Sequence, residues 1–176
     1  MKAMAIVLTI VLAVPAAAQD RPLSERTGVA PALGLTPATE DFVRMIAIGS
    51  MFNIEAGKLA QQKADKKSKA FAAKVIADNQ KLSADLAALI SNGSLKIELP
   101  TTLDSARERQ MSKLQELTGE SFDAQYDKDQ LAAHKEILSL LERYSKGGDH
   151  PDLKLFAAKA LPRLEEDLRM ARDLRK

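Results

Sequence analysis

Five polar side chains, Glu55, Asp78, Asn79, His134 and Asp167, fall at the borders of apolar helical faces when the chain is wound at about 100° per residue. They come from four separate helical stretches. Carboxylates, an amide and an imidazole turned inward from facing helices are the donors with which bundle proteins hold divalent metal ions. The di-iron form of that chemistry uses two Glu-x-x-His pairs, and the sequence contains none. Counted from the hairpin turns, Glu55 and Asn79 lie within about one turn of a common level, while His134 and Asp167 miss it by more. Each residue also has a plainer role. Glu55 reads as a solvated carboxylate or a partner of Lys58 or Lys63, and Asp78 and Asn79 as hydrogen-bonding groups across a hairpin. His134 reads as a satisfied core histidine, and Asp167 as a partner of His134, Arg163 or Arg169. A divalent metal ion is thus the one cofactor these residues admit, and no cofactor is the favoured expectation.

No other spacing in the chain supports catalysis. HExxH, CxxC, a phosphate-binding P-loop, GxGxxG and GxSxG are all absent. The only histidines are His134 and His150, and there is no cysteine. His150, directly before Pro151, reads as a cap or turn residue. Met45, Met51, Met111 and Met170 are scattered, which argues against a methionine-rich copper site. A non-enzyme is expected.

The elements that must position the five residues are helices. Aromatic residues are only 4% of the chain, and a core of Leu, Ala, Ile and Met favours an all-α fold. A first helix is expected from Thr36-Pro37 to about Lys63, with Thr36 as cap and Phe42, Met45, Ile48, Gly49, Phe52, Ala56 and Leu59 in its buried stripe. After a turn over Asp65 to Ser68, a second runs to Ser91 and stops at Asn92-Gly93. A loop through Pro100 leads to a short helix from about Thr102, closed by Gly119. Ser121 then caps a fourth helix, whose inward face carries Phe122, Tyr126, Gln130, Ala133, Ile137, Leu141 and Tyr144 as far as Gly147-Gly148. The fifth opens at Asp149-His150-Pro151. Pro162 inside it deletes one hydrogen bond and crowds the Ala158 carbonyl, so a bend is expected, with a polar pocket facing that carbonyl as the sharper version. Two hairpins joined by a short connecting helix make a ferritin-like four-helix bundle over residues 37–176.

Composition sets the address and excludes some partners. The chain has 176 residues, and 26 basic against 24 acidic side chains leave it near neutral, without the basic surplus of a nucleic-acid-binding domain. Residues 1–18 have a lysine, an apolar run from Ala3 to Val14 and small residues at Ala16 and Ala18, the pattern of a signal peptide cleaved after Ala18. Residues 19–36 read as a leader without periodicity. Export implies a periplasmic or secreted protein. Lys63, Lys66, Lys67 and Lys69 gather at the first hairpin tip, where they read as a solvated turn or as a weak contact for phospholipid or another polyanion.

These pieces resemble the bacterial family called domain of unknown function 4142, over about Thr39 to Leu174. The resemblance is carried by Glu55 with Gly57-Lys58-Leu59-Ala60, by Phe71-Ala72 leading to Asp78, by Phe122-Asp123 with Tyr126 and His134, and by Leu161-Pro162 ahead of Leu168. It implies a ferritin-like fold and a secreted or outer-membrane setting. Asn79 stands where the family commonly has the histidine of an Asp-His pair, and Asp167 where it has that of a His-Leu pair. If that pattern holds a metal, this chain would bind a transition ion weakly and accept a harder cation through Asn and Asp. The overall expectation is a non-enzymatic binding or envelope-stress module, with a metal-binding or redox bundle as the alternative.

Overall fold

The computed structural model describes residues 35–92 and 95–176 and contains five helices over them. These are α1 (Thr39–Lys63), α2 (Lys66–Asn92), α3 (Ser105–Glu116), α4 (Gly119–Gly147) and α5 (Pro151–Leu174). The expected signal peptide, most of the leader and Gly93 lie outside the described residues.

The four long helices form a square in which each packs on two neighbours. α1 lies on α2 and α4, and α5 on α4 and α2. Phe42 near the start of α1 stacks on Tyr144 near the end of α4, ring centroids 3.8 Å apart, so those two helices are antiparallel. Lys74 early in α2 meets Asp167 late in α5, so that pair is antiparallel as well. The order is therefore up, down, down, up. Because α2 and α4 run the same way, the chain between them must travel the length of the bundle.

The crossover does so with a local rule the loop reading missed. In the stretch Leu95 to Leu99, Leu95, Ile97 and Leu99 turn toward the core while Lys96 and Glu98 are exposed. That is the two-residue alternation of an extended chain lying on an apolar surface. Leu103 then packs at the opposite end of the bundle, and α3 follows across α1 and α4. The Asp104 side chain caps α3 by accepting from the Arg107 amide at 2.8 Å.

Several boundaries differ from the sequence expectation, for local reasons. Thr36 does not cap α1; the cap position is Ala38, and the Thr36 hydroxyl donates to the carbonyl of Arg143 on α4 at 3.5 Å. Chain-to-chain tethering at this end replaces a local cap. α2 starts at Lys66 because Asp65 accepts from the Ser68 amide at 2.7 Å. Gly119 opens α4 rather than closing α3, at φ 55°, a conformation that glycine takes without a Cβ penalty. Ser121 accordingly sits inside the first turn. Ala158 and Pro162 are both exposed, so the carbonyl freed by the proline belongs to the solvent side of α5 and not to a polar pocket.

Burial explains why these helices hold together. The core falls into two apolar clusters. One, at the end where α1 and α5 begin, contains Phe42, Ile46, Leu82, Ile137 and Leu164. The other, at the end where α2 and α4 begin, contains Phe52, Phe71, Val75, Phe122, Ala133 and Ala171. Each large side chain taken out of water there contributes about 1.5–3 kcal/mol.

Candidate functional site

The junction between the two apolar clusters is polar. On α1, Ser50 lies between Ala47 of one cluster and Phe52 of the other, with Asn53 beside it. On α2, Asn79 lies between Val75 and Leu82; on α4, His134 between Ala133 and Ile137; on α5, Asp167 between Leu164 and Ala171. All four long helices thus place a polar side chain at one level. Ser50, Asn53, His134 and Asp167 have no exposed surface, nor does Gln130, one turn from His134 on α4.

Few of these groups are satisfied from within. Asn53 donates to the Asn79 side-chain oxygen at 3.3 Å, and Asn79 donates to the Val75 carbonyl at 2.9 Å. The His134 Nδ1 lies 2.7 Å from the Gln130 carbonyl, which can only accept, so Nδ1 carries the proton. The Nε2 is then an acceptor, and it has no partner. Also without partners are Ser50 Oγ, Asn53 Oδ1, both side-chain polar atoms of Gln130, Tyr126 Oη and Asp167 Oδ2. Burial pulls the His134 pKa down to about 4, against the raising effect of the Gln130 carbonyl, so the ring is neutral at physiological pH.

Toward the α2/α5 surface the layer becomes ionic. Lys74 Nζ lies 2.6 Å from Asp167 Oδ1, 2.6 Å from Asp78 Oδ2 and 3.5 Å from Glu166 Oε2. Arg163 Nε approaches Asp78 Oδ1 at 3.4 Å. Burial opposes the charge on Lys74, yet the bonds to Asp167 and Asp78 outweigh it and hold its pKa above the usual lysine range. Burial pushes Asp167 up to about 6, with the Lys74 bond and charge working the other way and the nearby Asp78 carboxylate adding to the rise.

The five residues singled out in the sequence therefore divide. Asn79, His134 and Asp167 are all buried, each between residues of the two apolar clusters along its helix, and Lys74 bonds both Asp167 and Asp78. Glu55 is exposed, and Asn53 is the α1 member of the layer. Lys74, Asn53, Ser50 and Gln130 were missed as site residues, although Gln130 was placed on the inward face. The available signal was the break in apolar character at one level of every long helix. His150 caps α5 by position, as expected, without a side-chain cap bond.

The residues do not fit a di-iron carboxylate centre. Among the described residues no three His, Asp or Glu side chains come together as a metal ligand set. Any ion at this level would depend on amide oxygens as well.

A second feature lies on the same face of the bundle. α3 covers α1 and α4, whereas α2 and α5 flank a cleft of about 710 Å³. Leu82, Leu89, Phe156 and Ala160 form its apolar wall; Lys81, Asp85, Asp152, Lys159 and Arg163 rim it. Leu155, at 55% exposure, stands at its edge. At the opposite end of the bundle two of the tip lysines are engaged by helix ends. Lys63 donates to the carbonyls of Gln115 and Leu117 at 2.5 and 3.0 Å, and Lys67 to that of Asp173 at 2.5 Å.

Together these features define an all-α four-helix bundle with a polar layer through its middle. The chain belongs to the family described as Domain of unknown function (DUF4142), whose model matches residues 24–174. No curated protein and no solved structure matches it. Asn79 and Asp167 lie in the polar layer with His134.

Proposed function

We propose that the protein is an exported, periplasmic, non-enzymatic binding module with the single long crossover of ferritin-like bundles, and that it receives an amphipathic helix of a partner protein between α2 and α5. The cleft there is the observation that supports this reading. Its apolar wall lies along α2 from Leu82 to Leu89, about two turns, the span over which a docking helix presents anchors at i, i+3 or i+4, and i+7. The rim carries both signs of charge, which favours a helix with a mixed polar face and sets its orientation. α3 lies on the α1/α4 side, leaving this face for a partner.

The test uses the mature chain, residues 19–176, with a fluorescent Leu/Lys/Glu model helix as the probe. Saturable binding is expected, lost in Leu155→Asp while the urea midpoint stays unchanged. No binding, or binding indifferent to Leu155→Asp, would reject the cleft as the docking face. The address is tested separately by intact mass of the chain extracted from the periplasm, expected to begin at Gln19.

A further inference from the structure

We infer that the helix received at the α2/α5 cleft is α5 of a second copy of this chain, the two copies meeting about a two-fold axis that passes between Leu155 and Phe156. The inference rests on the cleft being a docking face, and it names the occupant. Most rim charges are already engaged. Lys81 and Asp85 satisfy one another at 3.2 Å, and Arg163 Nε lies 3.4 Å from Asp78. Asp152 and Lys159, by contrast, are exposed and make no ion pair among the described residues. They stand seven residues apart on α5, about 10 Å along its axis, with Leu155 between them on the same face.

That row complements itself when reversed. Two α5 helices laid antiparallel about the axis set Asp152 opposite the partner's Lys159, and Lys159 opposite the partner's Asp152. This is the reciprocal pairing that a two-fold interface requires. Parallel docking would set like charges face to face, which such a contact disfavours. Among the described residues only Leu35 and Leu155 are large hydrophobic side chains left exposed, and Leu155, at 55%, stands at the edge of the cleft. In the antiparallel pair it turns toward the apolar wall of the other copy, formed by Leu82, Leu89, Phe156 and Ala160. Knob and hollow lie side by side on one patch, so mutual insertion closes a pair and does not propagate into a fibre. The face is only a few helical turns long, which places the pair among small, transient contacts that form at high concentration.

Sedimentation equilibrium of the mature chain is expected to show monomer passing to dimer as its concentration rises to about 1 mM. Asp152→Lys and Lys159→Asp, each at an exposed position and checked for unchanged circular dichroism, should each weaken dimerisation roughly tenfold or more. Mixed in equal amounts, the two reversed chains should pair with one another, since one then offers only cations to the contact and the other only carboxylates. The chain carrying both exchanges should dimerise as the wild type does. A wild-type chain that stays monomeric over this range overturns the inference, as does a dimer indifferent to both reversals or a mixture of reversed chains that fails to pair. A model helix that binds such a monomer and depends on Leu155 would leave the cleft a docking face for a different protein. If neither the helix nor a second copy binds, the docking reading falls too.

Discussion

Lys74 on α2 places its ammonium 2.6 Å from the Asp167 carboxylate on α5, an aspartate with no exposed surface. The pair crosses the open α2/α5 face and ties the two hairpins together where the core is polar. Removing one partner of a buried pair costs about 3–5 kcal/mol, because the other charge is left stranded. Lys74 is 29% exposed and Asp78 keeps Arg163, so Lys74→Met is expected to cost less, about 2–3 kcal/mol. Lys74→Met with Asp167→Leu should recover most of that loss, since no charge is then stranded. Urea midpoints at constant m-value measure both. A Lys74→Met loss below about 0.5 kcal/mol would put the pair in the class of ordinary surface contacts.

Gly57 sets how closely the first hairpin packs. A Cβ there would stand 2.8 Å from Ile76 Cγ1 and 3.5 Å from the Ala72 carbonyl oxygen. Glycine to alanine in a free helix gains about 1 kcal/mol. Here the forced shift of α2 should reverse the sign, and Gly57→Ala is expected to lose about 1–2 kcal/mol. In an Ile76→Ala background the same change should become neutral or favourable. A double-mutant cycle without that coupling would show that the helices separate freely.

Most of the architecture was legible in the sequence because apolar stripes act locally, whereas the caps expected at Thr36 and Ser121 and the stop expected at Gly119 did not form as read. The inward residues of α4, from Phe122 to Tyr144, are buried as their spacing required. The polar layer was only half legible, for a geometric reason. α1 touches α2, α3 and α4, so Val43, Ile46, Asn53 and Ala60 are buried in addition to its main stripe. A wheel centred on one stripe then assigns the border to Glu55 and passes over Asn53. Lys74 was hidden differently: a lysine in a charged helical segment reads as solvated until the opposite helix is known to present Asp167. The residues that did announce themselves, Asn79 and His134, interrupt otherwise apolar positions.

The tip lysines should separate into two kinds. Lys63 completes the end of α3 through the Gln115 and Leu117 carbonyls and also lies over the Phe122 ring, 5.8 Å from its centroid. Lys63→Met should cost about 1 kcal/mol and speed hydrogen exchange at the end of α3. Lys66, at an exposed position, should change stability by less than about 0.5 kcal/mol when replaced by Met. Equal effects from the two substitutions would refute the capping role.

Asp127 supplies the clearest pH dependence outside the polar layer. It is buried against the first hairpin turn and accepts from the Ser68 hydroxyl at 3.2 Å. Burial raises its pKa; the Ser68 bond lowers it, and the Asp65 and Asp123 charges raise it again. A raised carboxyl binds its proton more tightly folded than unfolded, so this group favours the folded state as pH falls. Its cost is complete above the folded pKa, shrinks as pH drops through that value, and is gone below the unfolded 3.8. Asp127→Asn removes the charge while its side-chain oxygen still accepts from Ser68, and is expected to make the bundle more stable than wild type at pH 7. Between pH 7 and pH 3 that advantage should disappear, because the wild-type carboxyl becomes neutral too. Urea unfolding of both proteins across the range reads the difference directly, and a gap that stays constant with pH would mean that something other than the Asp127 charge sets it.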